Sequence, residues 1–263
     1  MSHLHIPDGV LPVWLWLAGW VLTAALVWLA SRRLKTTDAR RSVPLIGVAS
    51  ALVLVAMSSE IVPLAYHINL TVVAGVLLGP WAGVISAFIV VLALALLGHG
   101  GITVVGLNAL VIASEMALGW ALVRGGARLL RRVKIGGVAA VATVLTLAVT
   151  TTMVVGIVAL GGTTATSRET GALDAETLQF SNPFTGGVLS IGLLGGGEHE
   201  DSGSTLAIGR FATIVYTLGP LGWLLEALVT GTIVGYIGRV RPSLLLGGAD
   251  WHPRLPGDEH GGR

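Results

Sequence analysis

Apolar runs of about 20 residues recur along this chain, separated by short polar and basic stretches, and little else about the sequence constrains the fold as strongly. A helix of that length spans the roughly 30 Å hydrocarbon core of a bilayer. Charged residues make up only 11% of the 263, where a soluble domain carries about 25%. Mean hydropathy is +0.82. The expected fold is all-α, a polytopic helical membrane protein. No cysteine is present, which excludes disulfides and thiolate metal sites. The sequence pI of about 9.4 reflects basic residues in short loops, where they set orientation rather than bind nucleic acid.

The basic loops order the spans. Helix 1 is expected over residues 11–30, followed by Arg32, Arg33, Lys35, Arg40 and Arg41 on the cytoplasmic side. No basic region precedes this helix and no clear small-residue cleavage site follows it, so it is expected to be retained. Helix 2, over 43–62, returns outward and ends at Pro63. The stretch Leu70 to Leu97 is too long for one span and carries Gly79-Pro80-Trp81 near its middle. It reads as a short segment over 69–79 and a second over 82–97, meeting at an inner turn. About 11 helical residues rise only about 16 Å. The short segment therefore needs protein-covered irregular backbone or a re-entrant course. A fifth helix over 102–123 ends at Arg124, and a basic loop runs on through Arg128, Arg131, Arg132 and Lys134.

A sixth helix over 135–160 leads to an outer loop at 161–206, read either as a connector or as a lid. A seventh over 207–238 returns to Arg239 and Arg241. The expected architecture is a seven-helix bundle over 11–238, with the N-terminus (1–10) outside and a polar tail (239–263) in the cytoplasm, disordered over 247–263. Gly75, Gly79 and Gly83, and also Gly231 and Gly235, repeat at four-residue spacing. That spacing lets helix backbones approach closely.

The chemistry-bearing residues gather on the outer side. His3, His5, His67, His99 and His199 all fall there in this topology. His3 and His5 lie beside the written start of the chain, where an amine, an amide nitrogen and an imidazole can chelate one divalent ion together. Pro7-Asp8-Gly9 is a turn signal that folds residues 1–6 back over the bundle. His67 lies beside the short segment, with Asn69 two residues on, and is a candidate ligand. His99, between glycines, is either a ligand or a polar turn residue. Glu60 lies near the outer end of helix 2. Glu115 and Glu226 lie mid-helix, with Asn108 two turns before Glu115. Carboxylates in membrane helices are costly. These two serve either as an ion path or as acceptors of hydrogen bonds between helices.

His5-Ile6-Pro7-Asp8-Gly9 followed directly by a helix resembles the opening of the CbiM/NikM family, the substrate-capture components of energy-coupling-factor cobalt and nickel transporters. The resemblance continues through Val73 to Gly83, Gly98-His99-Gly100-Gly101-Ile102-Thr103 and Leu107-Asn108-Ala109-Leu110. It implies a seven-helix subunit similar to the vitamin-binding components of related transporters, with an extra first helix. It also implies partners: a transmembrane coupling (T) subunit, a cytoplasmic ATPase pair and often a small accessory membrane subunit. In the family the ion is held by a terminal amine, by the amide and imidazole of the second residue, and by a further histidine after helix 2. Here His5 and His67 match the two histidines, and Asp8, Asn69, His99, Asn108 and Glu60 are candidate supports.

The chain departs from the pattern at its start, because Leu4 stands where the family has methionine. Three chelates are then expected as alternatives: a start at Leu4 with His5, an amine at Ser2 with His3, or an amine at Met1 reaching His3. The resulting expectation is a non-enzymatic subunit of the inner membrane that captures Ni²⁺ or Co²⁺ from outside. It lacks a GxxxxGK[ST] segment of its own, so ATP hydrolysis falls to its partners. The competing expectations are a self-contained secondary cation transporter using Glu115 and Glu226, or a structural membrane subunit.

Overall fold

The computed structural model describes residues 6, 11–34, 39–58, 60–61, 66–97, 101–130, 132–162 and 208–248. The expectations for Ser2, His3, Leu4, His5, Asp8 and His99 lie outside the described residues. So does the outer loop from residue 163 onward.

Among the described residues the chain is helical throughout, apart from one pair of two-residue strands. The helices are α1 (Val13–Leu34), α2 (Ala39–Ser58), α3 (Thr71–Leu96), α4 (Val105–Leu129), α5 (Ile135–Gly162) and α6 (Ile208–Val240). Five of them are long and apolar enough to cross a membrane, and α2 is a shorter apolar helix. The outward faces are apolar, as a bilayer solvent requires. Val13, Trp14, Leu17 and Val21 on α1 are exposed, as are Leu221, Leu224 and Leu228 on α6.

At the centre α3 packs along α4. α1 and α2 cover one side of this pair, while α5 and α6 close the other. Small residues set the close seams. Gly106 of α4 lies against the Gly19–Trp20 backbone of α1. Thr23, one turn on, donates its hydroxyl to the Gly106 carbonyl at 2.6 Å, and Trp20 Nε1 donates to Thr103 O at 2.8 Å. On the far side Gly136 faces Gly231 and Gly235. A Cβ on Gly136 would stand 2.5 Å from the Gly231 carbonyl oxygen.

α3 is not one straight rod. Gly79 holds φ 75° and ψ 176°, a region open essentially to glycine alone, and Pro80 follows with its fixed φ. In a straight helix Gly75 and Gly83 would lie about 12 Å apart. Instead both face Met116 of α4, and Gly79 lies near Trp120, one turn further along α4. The chain therefore doubles back at Gly79, as the glycine–proline signal suggested. The first half, 71–78, is almost wholly buried.

Several boundaries differ from those expected, among them α1, which runs on through Arg32 and Arg33 to Leu34 rather than ending at 30. α2 ends at Ser58, not at 62, and Glu60 sits in a two-residue strand. That strand, β1 (Glu60–Ile61), pairs antiparallel with β2 (Tyr66–His67), with Glu60 opposite His67 and Ile61 opposite Tyr66. Backbone pairing of this kind keeps non-helical chain satisfied away from water. α4 runs past Arg124 and Arg128 to Leu129. Arg124 stays within the helix, with its guanidinium 5.1 Å from the Trp120 ring centroid one turn back. Within the polar tail, Pro242–Gly248 forms a 3₁₀ helix that packs on α3 and α6, with Leu245 fully buried.

Candidate functional site

Two anchoring points on α4 organise one half of the bundle. The first is Asn108, near the start of the helix. Its Oδ1 accepts from the Ile6 backbone N–H at 3.1 Å, and its Nδ2 donates to the Ile6 carbonyl at 3.1 Å. A side-chain amide thus substitutes for a neighbouring strand and satisfies both polar groups of one buried residue. The Ile6 side chain, 2% exposed, fills an apolar pocket of Leu11, Leu15, Val104, Leu107, Val111, Val154 and Val158. The residue next to His5 is therefore clamped inside the bundle between α1, α4 and α5.

The second anchor is Glu115, seven residues and two turns further along the same face of α4. Its Oε2 accepts from Asn69 Nδ2 at 3.1 Å and from the Thr71 hydroxyl at 2.8 Å, and its Oε1 accepts from the Thr150 hydroxyl of α5 at 3.1 Å. Glu226 of α6 joins from the other side, where its Oε1 accepts from the Asn69 backbone N–H. Asn69 Oδ1 in turn accepts from the Thr71 N–H at 3.0 Å. One residue of irregular chain is thereby tied to α4, α6 and the start of α3. Glu115 and Glu226 are each 1% exposed.

Two acidic side chains this deep are expensive unless hydrogen-bonded. The donors here are hydroxyls, an amide and a backbone N–H at the positive end of the half-helix 71–78. Glu115 lies ten residues into α4, about 15 Å at 1.5 Å per residue, near mid-depth of a roughly 30 Å core. The chain between β2 and α3 therefore reaches this depth before α3 begins.

Of the residues singled out from sequence, the structure brings Asn69, Glu115 and Glu226 into one network and gives Asn108 the role of clamp. The two carboxylates act as acceptors between helices. His67 and Glu60 are placed through their backbones, opposite each other in the strand pair. Among the described residues no group of three or more His, Cys, Asp or Glu gathers as a metal-binding set. Sequence reasoning missed Thr71, Thr150 and Ile6. A signal for Thr150 was present in the run Thr150-Thr151-Thr152, which interrupts an otherwise apolar helix.

Comparison with known proteins bears on this arrangement. Residues 5–244 match the family model CbiM, described as the cobalt uptake substrate-specific transmembrane region. No curated protein matches. Two crystal structures share the fold. One, of a transition metal transporter, covers 90% of this chain and 93% of its own at 20% identity, with a TM-score of 0.61. The other, of a truncated transition metal transporter, covers 90% of this chain and 99% of its own at 20% identity, with a TM-score of 0.60.

Proposed function

Since the chain belongs to the CbiM family of cobalt uptake substrate-specific transmembrane proteins, we propose that it captures Ni²⁺ or Co²⁺ on the outer side of the inner membrane, for an ATP-driven uptake system. It is a multi-pass substrate-specific component of metal transport. The finer reading assigns the ion to the imidazoles of His67 and His5, or of His3, together with nitrogens of residues 1–5. Neutral imidazole suits both ions, and capture weakens as falling pH protonates it.

The observation that carries this reading is the pair of anchors on α4. Asn108 fixes Ile6, the neighbour of His5, and Glu115 fixes Asn69, two residues from His67. The anchors lie about 10 Å apart along one helix face. Two extended residues reach about 7 Å. A ligand site shared by His5 and His67 is thus within reach of both anchors along the same stretch of α4, which supports the reading.

The proposed orientation is supported by the basic helix ends. Arg32 and Arg33 close α1, Arg128 lies in the last turn of α4, and Arg239 closes α6. Arg33 lies 5.6 Å from the ring centroid of Trp81, just past the doubling-back of α3. These features gather at one end of the bundle, which becomes the cytoplasmic end by the excess of positive charge. Counting α3 as two spans gives seven, with the N-terminus outside and the C-terminus inside. The cytoplasmic end is the proposed docking side for a coupling subunit and an ATPase pair, with a small accessory membrane subunit as a further partner.

The test is titration of purified protein with Ni²⁺ and Co²⁺, with the mature N-terminus established by intact-mass measurement. Binding is expected for the wild type and loss of about 10-fold or more for His67→Ala, as for removal of a metal ligand or its support. Uptake by this chain alone, independent of ATP and lost in Glu115→Gln, would overturn the proposal in favour of a secondary carrier.

A further inference from the structure

Asn69 is held more firmly than helix packing needs. It is 3% exposed, and three bonds from three elements meet on it. Its backbone N–H donates to Glu226 of α6, its side-chain amide donates to Glu115 of α4, and its side-chain oxygen accepts from the first residue of α3. Amides and hydroxyls would join these helices at far lower cost than two buried carboxylates. Carboxylate acceptors bind their donors about twice as strongly as neutral ones. Asn69 also sits at the foot of the strand pair, where only Ile68 separates it from His67, whose backbone register opposite Glu60 fixes the other side.

We propose that Asn69, gripped by Glu115 and Glu226, is a positioning residue that sets where the His67 end of the strand pair presents its donor, and so sets the coordination geometry of the captured ion. The inference rests on the metal-capture reading above. Outer partners that orient ligands typically change metal affinity by about 10- to 100-fold when removed. A contact outside the network supplies the control: the hydroxyls of Thr152 on α5 and Tyr216 on α6 bond each other at 2.7 Å.

The experiment uses the full chain in detergent, titrated with Ni²⁺ for affinity and with Co²⁺ at saturation for the visible ligand-field spectrum, alongside thermal stability. Asn69→Ala is expected to weaken Ni²⁺ binding about 10-fold or more and to shift the Co²⁺ spectrum at full occupancy. Thr71→Val, which removes one donor to Glu115, is expected to act in the same direction, and Thr71→Ser to restore both readouts. Thr71→Val also decides the matter if Asn69→Ala does not fold. Thr152→Val, which removes the α5–α6 hydroxyl contact, is expected to lower thermal stability while leaving the spectrum unchanged. If Asn69→Ala and Thr71→Val bind as the wild type does, or if all variants lose affinity only in step with thermal stability under an unchanged spectrum, the proposal is overturned and the capture reading stands. A wild type that binds neither ion overturns both.

Discussion

Asn108 carries two hydrogen bonds to a single distant residue and so takes up both polar groups of the Ile6 backbone. Asn108→Ala leaves a buried N–H and C=O unmatched, at a cost of about 1–3 kcal/mol for each group. Metal affinity is expected to fall at least about 10-fold in titration. Asn108→Asp keeps the acceptor for the Ile6 N–H and loses the donor, so its affinity should fall between those of Ala and the wild type. The polar members of this network were legible because an Asn or Glu inside an apolar run has few reasons to be there. Thr71 and Thr150 were less legible. Threonine can bond the carbonyl four residues back in its own helix, as Thr143, Thr152, Thr217 and Thr232 do here, so its presence does not announce a tertiary partner. Ile6 gave no signal, because an apolar residue beside a polar motif is unremarkable.

At the scale of elements, the doubling of α3 was readable from Gly79-Pro80-Trp81, since both residue types at the turn have backbone reasons to be there. Gly79→Ala is expected to destabilise the protein by about 1–3 kcal/mol through its positive φ, read as a lower unfolding midpoint in detergent. Gly47→Ala, at a helical position of α2 with open space around it, should be neutral or stabilising by up to about 1 kcal/mol. The strand pair was not legible. Two-residue strands carry no alternation to detect, and Pro63 alone marks only that a helix has stopped. Helix ends were misplaced where arginine stems lie along aromatic rings, because a charge in sequence marks the end of the apolar run, not the end of the helix.

Across the whole molecule, the glycine seams Gly75–Met116 and Gly136–Gly231 join the helices in pairs, while the Asn69 network joins the pairs to one another. Substituting Gly136 with Leu should part α5 from α6, because its side chain would meet the Gly231 carbonyl. Loss of metal binding is then expected although the substitution itself is on α5, away from the strand pair, measured by the same titration. The spacing of glycines foretold the close pairs, yet it could not say which helix each would meet.

The bond from Asn69 to Glu226 reaches across 157 positions of chain, and this has a consequence for the order of synthesis. When the ribosome has delivered the strand pair, and α4 after it, one of the two grips on Asn69 has yet to be made. A nascent chain halted before Ile208 is expected to enter the membrane and retain nothing on a Ni²⁺ column, while the complete chain is retained. On the proposed reading, competence to capture the ion is expected to arrive with α6, and a chain halted before it is expected to sequester no metal.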